Sequence, residues 1–90
     1  MGFKYVMLEI DNGAFKRRLP IIFPDILVHA DVAAAVQSLP MMGEAKPIAA
    51  GSIDLMAAEC HGKSTTLNVS AGETDAELIN TFPYFHGIEV

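Results

Sequence analysis

Residues 3–10 constrain the fold more than any other stretch, because they are rich in β-branched, aromatic and long apolar side chains. They end at Asp11-Asn12-Gly13, and Asn and Gly adopt the positive φ that tight hairpin turns require. The chain is therefore predicted to open with an antiparallel hairpin. The returning strand is expected over residues 14–23. Since Pro20 has no N–H for a sheet, that strand should lie at an edge or carry a bulge.

An irregular link over residues 24–28 is expected to lead into a helix over residues 30–39. Its apolar stripe is predicted from the 3.6-residue period, and Pro40 ends it. The stripe comprises Val32, Ala35, Val36 and Leu39.

The second half is expected to repeat this pattern. Residues 48–58 and 64–70 alternate apolar and polar side chains like half-buried strands, with residues 60–63 as the hairpin turn between them. Thr74 and Glu77 then form the spacing of a capping box, which predicts a helix reaching about residue 82 and closed by Pro83. Residues 84–90 are expected to add a short extended segment.

These elements predict an α+β fold with one antiparallel sheet of four or five strands. Two helices are expected on one face of the sheet, in the order ββαββα. Ninety residues are too few for two hydrophobic cores, so residues 1–90 are expected to form a single domain.

The composition favours self-association. Hydrophobic residues make up 51% of the chain and charged residues only 19%, so a domain of this size has little polar cover for its apolar surface. The net charge of −5 disfavours nucleic acid as a partner. One concentrated basic run, Lys16-Arg17-Arg18, is interpreted as a solvated strand edge, with a nucleic-acid site as its alternative.

The segment E-C-H-G-K-S-T-T at residues 59–66 contains the most suggestive chemistry. It ends like a phosphate-binding loop, but Ala57 stands where that loop needs its first glycine. Cys60 and His61 could form a nucleophile and its base, although neighbours on a strand point to opposite faces. A buried, inert thiol is the favoured interpretation. The spacing of the histidines predicts no metal site, and no cofactor is expected.

No secretory signal and no apolar run long enough for a membrane span are recognised in the sequence. Cys60 is the only cysteine, so no disulfide within the chain is possible. We therefore expect a soluble cytoplasmic protein without a membrane partner.

Three short segments carry a resemblance to known proteins: H-A-D-V-A at 29–33, C-H-G-K-S-T-T-L at 60–67 and D-A-E-L-I at 75–79. In these segments the chain resembles small uncharacterised proteins encoded by tailed phages and prophages. The resemblance implies an accessory or structural role in a phage or bacterial setting. It supplies no activity and no catalytic residues.

The leading functional hypothesis is a non-catalytic interaction or structural protein, acting as a homo-oligomer or as an accessory subunit of another protein. Contact is expected through the edge strand or an apolar loop. The candidate interface residues are Phe15, Leu19, Pro20, Ile21, Met41 and Met42. The alternative is a small enzyme or ligand-binding protein that uses Cys60 and His61, with His29 or His86 as a further partner.

Overall fold

A computed structural model of the protein describes residues 2–11, 13–40, 42–54, 56–57 and 59–81. In these residues the backbone forms six strands and two short helices. The strands are β1 (Phe3–Asp11), β2 (Lys16–Pro24), β3 (Lys46–Asp54), β4 (Glu59–His61), β5 (Lys63–Ser64) and β6 (Val69–Ser70). The helices are α1 (His29–Gln37), between β2 and β3, and α2 (Asp75–Thr81), after β6.

The α+β class is confirmed, but the prediction of one sheet is wrong. Four strands form an antiparallel sheet in the order β2-β1-β3-β4, and β5 and β6 form a separate two-stranded sheet. β1 lies between its two longest neighbours, so that Val6 is opposite Ile21 on one side and Ala50 on the other. The order of elements is ββαββββα rather than the predicted ββαββα.

The N-terminal hairpin is confirmed. Between β1 and β2, Gly13 has a φ of 89° and its N–H donates to Oδ1 of Asp11, 2.9 Å away. A positive φ is costly for residues with a Cβ, so this position suits glycine. β2 lies at the edge of the four-stranded sheet, as Pro20 predicted.

The prediction that both helices lie on one face is wrong. Ala33 of α1 packs against the face of β1 that carries Val6 and Leu8. Ile79 of α2 packs with Tyr5 and Met7, which project from the opposite face. Residues 5–8 are therefore all completely buried, because β1 is covered on both sides. Their unbroken apolar run is typical of such a strand.

Helix α1 begins and ends within two residues of the prediction, but it buries a different stripe. Ala35 and Leu39 are exposed, whereas His29 and Ala33 are buried and Val32 and Val36 are partly buried. The buried stripe starts at His29 because that side chain fills a place in the core. Its ring packs edge-on against Phe23, with centroids 5.5 Å apart, and its Nε2–H donates to the Gly51 carbonyl over 2.9 Å.

The predicted turn at residues 60–63 is wrong, because Cys60 lies on β4 opposite Ile53 of β3. The chain reverses earlier, where Oδ1 of Asp54 accepts the N–H groups of Met56 and Ala57. The predicted strand over residues 64–70 is also interrupted. Its centre is a turn in which Ser64 Oγ accepts the Leu67 N–H, and it separates β5 from β6.

Helix α2 begins at Asp75, immediately after Thr74, in agreement with the predicted helix start. The predicted closure at Pro83 and the extended segment at 84–90 lie outside the described residues. Neither α1 nor α2 is long and apolar enough to cross a membrane.

Candidate functional site

Large apolar side chains are exposed together at one end of the four-stranded sheet. Phe3, the first residue of β1, pairs with Pro24 at the end of β2 and with Ile53 near the end of β3. The loop that follows β2 and the turn that follows β3 therefore emerge at the same end. Four exposed side chains of these two segments form what we call the apolar tip: Ile26, Leu27, Val28 and Met56.

The exposure of the apolar tip is large. Ile26 is 85% exposed and Met56 is 97% exposed, while Leu27 and Val28 are close to half exposed. Single apolar residues on a surface are ordinary, but several at neighbouring positions mark a contact surface.

The backbone holds the apolar tip in a defined conformation. The Leu27 N–H donates to the Pro24 carbonyl over 3.1 Å, which closes a turn directly after β2. The Lys4 ammonium donates to the Leu27 carbonyl over 3.0 Å. The buried His29 then fixes the start of α1. Because hydrogen bonds and packing hold both ends of this loop, the fold itself directs these side chains outward.

An acidic groove of about 380 Å³ lies beside the apolar tip. Asp25, Asp54 and His61 line it, and Met56 forms part of its wall. Among the described residues that line this groove there is no Lys or Arg. The groove therefore presents two carboxylates next to exposed aliphatic surface, an arrangement suited to a cationic side chain with an apolar neighbour.

Cys60 and His61, the sequence-derived catalytic candidates, lie on different sides of β4. Cys60 is partly buried and packs with Ile53 and the cluster around Tyr5, whereas His61 is exposed and lines the acidic groove. Alternation along a strand separates the two side chains. The structure therefore does not bring this thiol and this imidazole together.

Burial raises the pKa of the Cys60 thiol to about 11; the nearby Tyr5 hydroxyl opposes the rise and the charge of Asp75 adds to it. At neutral pH the sulfur is therefore protonated and a weak nucleophile. Burial also raises the pKa of Tyr5, and its hydrogen bond to Asp75 raises it further.

Tyr5 and Asp75 form a buried polar pair behind Cys60. The Tyr5 hydroxyl donates to Oδ2 of Asp75, and the Gly72 N–H donates to the same oxygen over 2.8 Å. Tyr5 is completely buried and Asp75 is 2% exposed. Because water does not reach the pair, we interpret it as the anchor that holds α2 against β1 rather than as a reactive centre.

A second cleft, of about 590 Å³, lies between β3 and the β5–β6 sheet. Its charged lining residue is Lys63, and Thr65, Asn68 and Ser70 add exposed polar groups. Its buried hydroxyl, that of Ser64, is already engaged with Thr66 and the Leu67 N–H. No Cys, His or carboxylate is found among the described residues that line this cleft, so it lacks the groups of a nucleophilic centre.

The predicted interface residues differ in how far their side chains are exposed. Phe15 is 51% exposed, Leu19 and Ile21 are partly buried, and Pro20 is completely buried. Met42 is partly buried and packs against the α1-side cluster, while Met41 lies outside the described residues. Among the members of this set that the structure describes, Phe15 offers the large exposed apolar surface.

The outer edge of β2 is poorly suited to pairing with another strand. The Asp25 N–H donates to the Gly2 carbonyl over 3.1 Å, and hydrogen-bonded positions alternate along an antiparallel pair. The backbone nitrogens of the even-numbered residues of β2 therefore point away from β1. Pro20 and Pro24 are two of these and have no N–H, so the edge lacks donors that an added strand would need.

Sequence reasoning missed the apolar tip. Residues 24–28 read P-D-I-L-V and are predicted as an irregular link; residues 25–28 are irregular, while Pro24 is the last residue of β2. The available signal was the run of three large apolar residues inside that link. A loop normally carries polar side chains because it faces water, so such a run either packs inward or forms a contact surface. Only the tertiary structure distinguishes the two.

In the described part of the chain, no group of three or more His, Cys, Asp or Glu side chains is arranged to hold a metal ion. Comparison of the chain with protein families, with curated proteins and with solved structures gives no match. The function therefore has to be argued from the surface itself.

Proposed function

We propose that the protein is a non-catalytic, self-associating protein and that the apolar tip is its contact surface. The observation that carries the proposal is the exposure of Ile26 and Met56 in two segments that emerge at the same end of the sheet. The composition supports it, since half of the chain is hydrophobic and less than a fifth is charged.

Burial of the apolar tip favours association. Burying one side chain of this size contributes about 1.5–3 kcal/mol. Four such side chains can offset a large part of the roughly 4–15 kcal/mol that association costs in lost freedom. Association is therefore expected to depend on protein concentration.

The surface chemistry argues against the alternative of a small enzyme. The Cys60 thiol has a raised pKa and is partly buried, and His61 lies on the other side of the strand. No observation on the described residues favours nucleophilic catalysis over the interpretation of Cys60 as a core side chain.

Analytical ultracentrifugation over a micromolar concentration series tests the proposal. The wild-type protein should sediment above the 9.7 kDa of one chain. The double variant Ile26→Asp, Met56→Asp should sediment as a monomer, because it places charge in the contact. Both positions are exposed, so folding should be nearly unchanged, which circular dichroism verifies.

Leu39→Asp is the matched control. Leu39 is a 55% exposed apolar residue after the end of α1, away from the apolar tip. This variant should assemble like the wild type. A wild-type protein that stays at 9.7 kDa throughout the series would refute the proposed function.

A further inference from the structure

A basic surface with an aromatic neighbour lies at the end of the sheet opposite the apolar tip. β1 runs from Phe3 at the tip end to Asp11 at the other, where Asp11 pairs with Lys16 of β2. We call the segment of Phe15, Lys16, Arg17 and Arg18 the basic end; side chains alternate along a strand, so Arg17 projects with Phe15 from one face, and Lys16 and Arg18 project from the other. The protein therefore carries an acidic groove at one end of its sheet and a basic run at the other.

Arg17 is the cation of the basic end that is available to a partner. Lys16 and Arg18 both approach Glu9, at 4.0 and 3.7 Å, and share its carboxylate. Arg17 makes no ion pair within the described residues, and its guanidinium lies over the Phe15 ring, 5.3 Å from the centroid. Arginine and aromatic side chains are each enriched in protein interfaces.

We propose that the basic end of one copy docks on the acidic groove and apolar tip of the next copy, with Arg17 placed between Asp25 and Asp54. This inference rests on the proposed self-association and names its second surface. The two surfaces are complementary in charge and in the apolar groups that they present. The Arg17 guanidinium of one copy binds the carboxylates of Asp25 and Asp54 of the next copy. The Phe15 ring packs against the aliphatic side chains of Ile26 and Met56.

Charge also explains why two tips would not simply pair with each other. A symmetric tip-to-tip contact brings Asp25 and Asp54 of both copies together, and like charges across an interface are unfavourable. The head-to-tail contact pairs opposite charges. Since its two surfaces lie at opposite ends of one sheet, a dimer leaves one of each unused, and assembly continues to a ring or a filament.

The decisive experiment mixes two variants that each retain one surface. Arg17→Glu keeps the groove and loses the basic end, whereas Ile26→Asp, Met56→Asp keeps the basic end and loses the tip. Each alone should be monomeric where the wild type assembles, with self-affinity at least ~30-fold weaker because a buried charge pair or the apolar contact is lost. An equimolar mixture should form a dimer and nothing larger, since the two surfaces left over are the basic end without Arg17 and the tip that carries two added aspartates.

Lys63→Glu is the control for overall charge, because it makes the same charge change on an exposed residue outside both surfaces. It should assemble like the wild type. If the double variant is monomeric while Arg17→Glu assembles normally, or if the mixture stays monomeric, the head-to-tail interface is refuted and the apolar tip remains the contact surface. A monomeric wild type refutes the proposed function together with this inference.

Discussion

The hydrogen bond between Tyr5 and Asp75 joins residues 70 positions apart and ties α2 to the central strand. The carboxylate is buried and accepts two donors, the Tyr5 hydroxyl and the Gly72 N–H. A buried charged acceptor that loses a donor is costly, because neither water nor another protein group replaces it. This pair is therefore expected to contribute far more to stability than a surface ion pair.

Replacing Tyr5 with Phe tests this contribution. The ring still fills the core, but Asp75 loses a donor, so the free energy of unfolding should fall by about 1–3 kcal/mol. Urea unfolding followed by circular dichroism measures the change. Glu73→Gln, at an exposed position of the preceding loop, should change stability by less than about 0.5 kcal/mol. An equally small effect of Tyr5→Phe would show that the hydrogen bond does not anchor α2.

The contacts of single residues in the candidate site were the hardest feature to predict from the sequence. The sequence indicates that Asp75 lies at the start of a helix, and it does. Nothing in the sequence pairs it with Tyr5, because that contact depends on which face of β1 receives α2. For the same reason the sequence could name Cys60 as a candidate without showing that burial raises the pKa of its thiol.

The backbones of β3 and β4 approach each other closely at Gly51. A Cβ added to Gly51 would lie 2.4 Å from the carbonyl oxygen of His61. That oxygen belongs to the backbone and cannot move without shifting the strand. Gly51 also accepts the hydrogen bond from His29, so the same point fixes the start of α1.

Gly51→Ala should therefore destabilise the protein by about 1–3 kcal/mol through overpacking. Gly43→Ala is the matched control, since the added Cβ would lie 3.8 Å from the nearest atom, the Gln37 carbonyl oxygen, in ordinary contact. Chemical unfolding of both variants against the wild type measures the difference. Equal stability of the two variants would refute the close approach at Gly51.

Element-level predictions succeeded where a local rule decides the structure. The turn at Gly13, the edge position of β2 and the end of α1 before Pro40 follow from the chemistry of glycine and proline. The predicted hairpin at residues 60–63 failed because Asp54 turns the chain earlier. Alternation alone does not reveal which residues bend.

At the scale of the whole molecule, β1 contributes side chains to two hydrophobic clusters, one on each face of the sheet. Val6 and Leu8 belong to the cluster covered by α1, and Tyr5 and Met7 belong to the cluster covered by α2. Loss of either cluster exposes one complete face of the same strand. The two sides are therefore expected to unfold together.

Ile79→Ala tests this coupling. It removes buried volume from the α2 side only, and Ile79 is 2% exposed, so the free energy of unfolding should fall by about 2–5 kcal/mol. Thermal unfolding followed by far-ultraviolet circular dichroism and by tyrosine fluorescence should still give one coincident transition. Leu39→Ala, at an exposed site, should leave the midpoint nearly unchanged. Two separated transitions would show that the clusters unfold independently.

The sequence by itself determined the α+β class, the N-terminal hairpin, the edge strand and the approximate positions of both helices, because these depend on local periodicity and on the backbone chemistry of glycine, proline and asparagine. Only the tertiary structure decided which faces the helices cover, that β5 and β6 leave the main sheet, and that the segments of Ile26 and Met56 emerge at the same end of the sheet. These features depend on contacts between residues far apart in sequence, and local patterns carry no information about which distant segment completes a face.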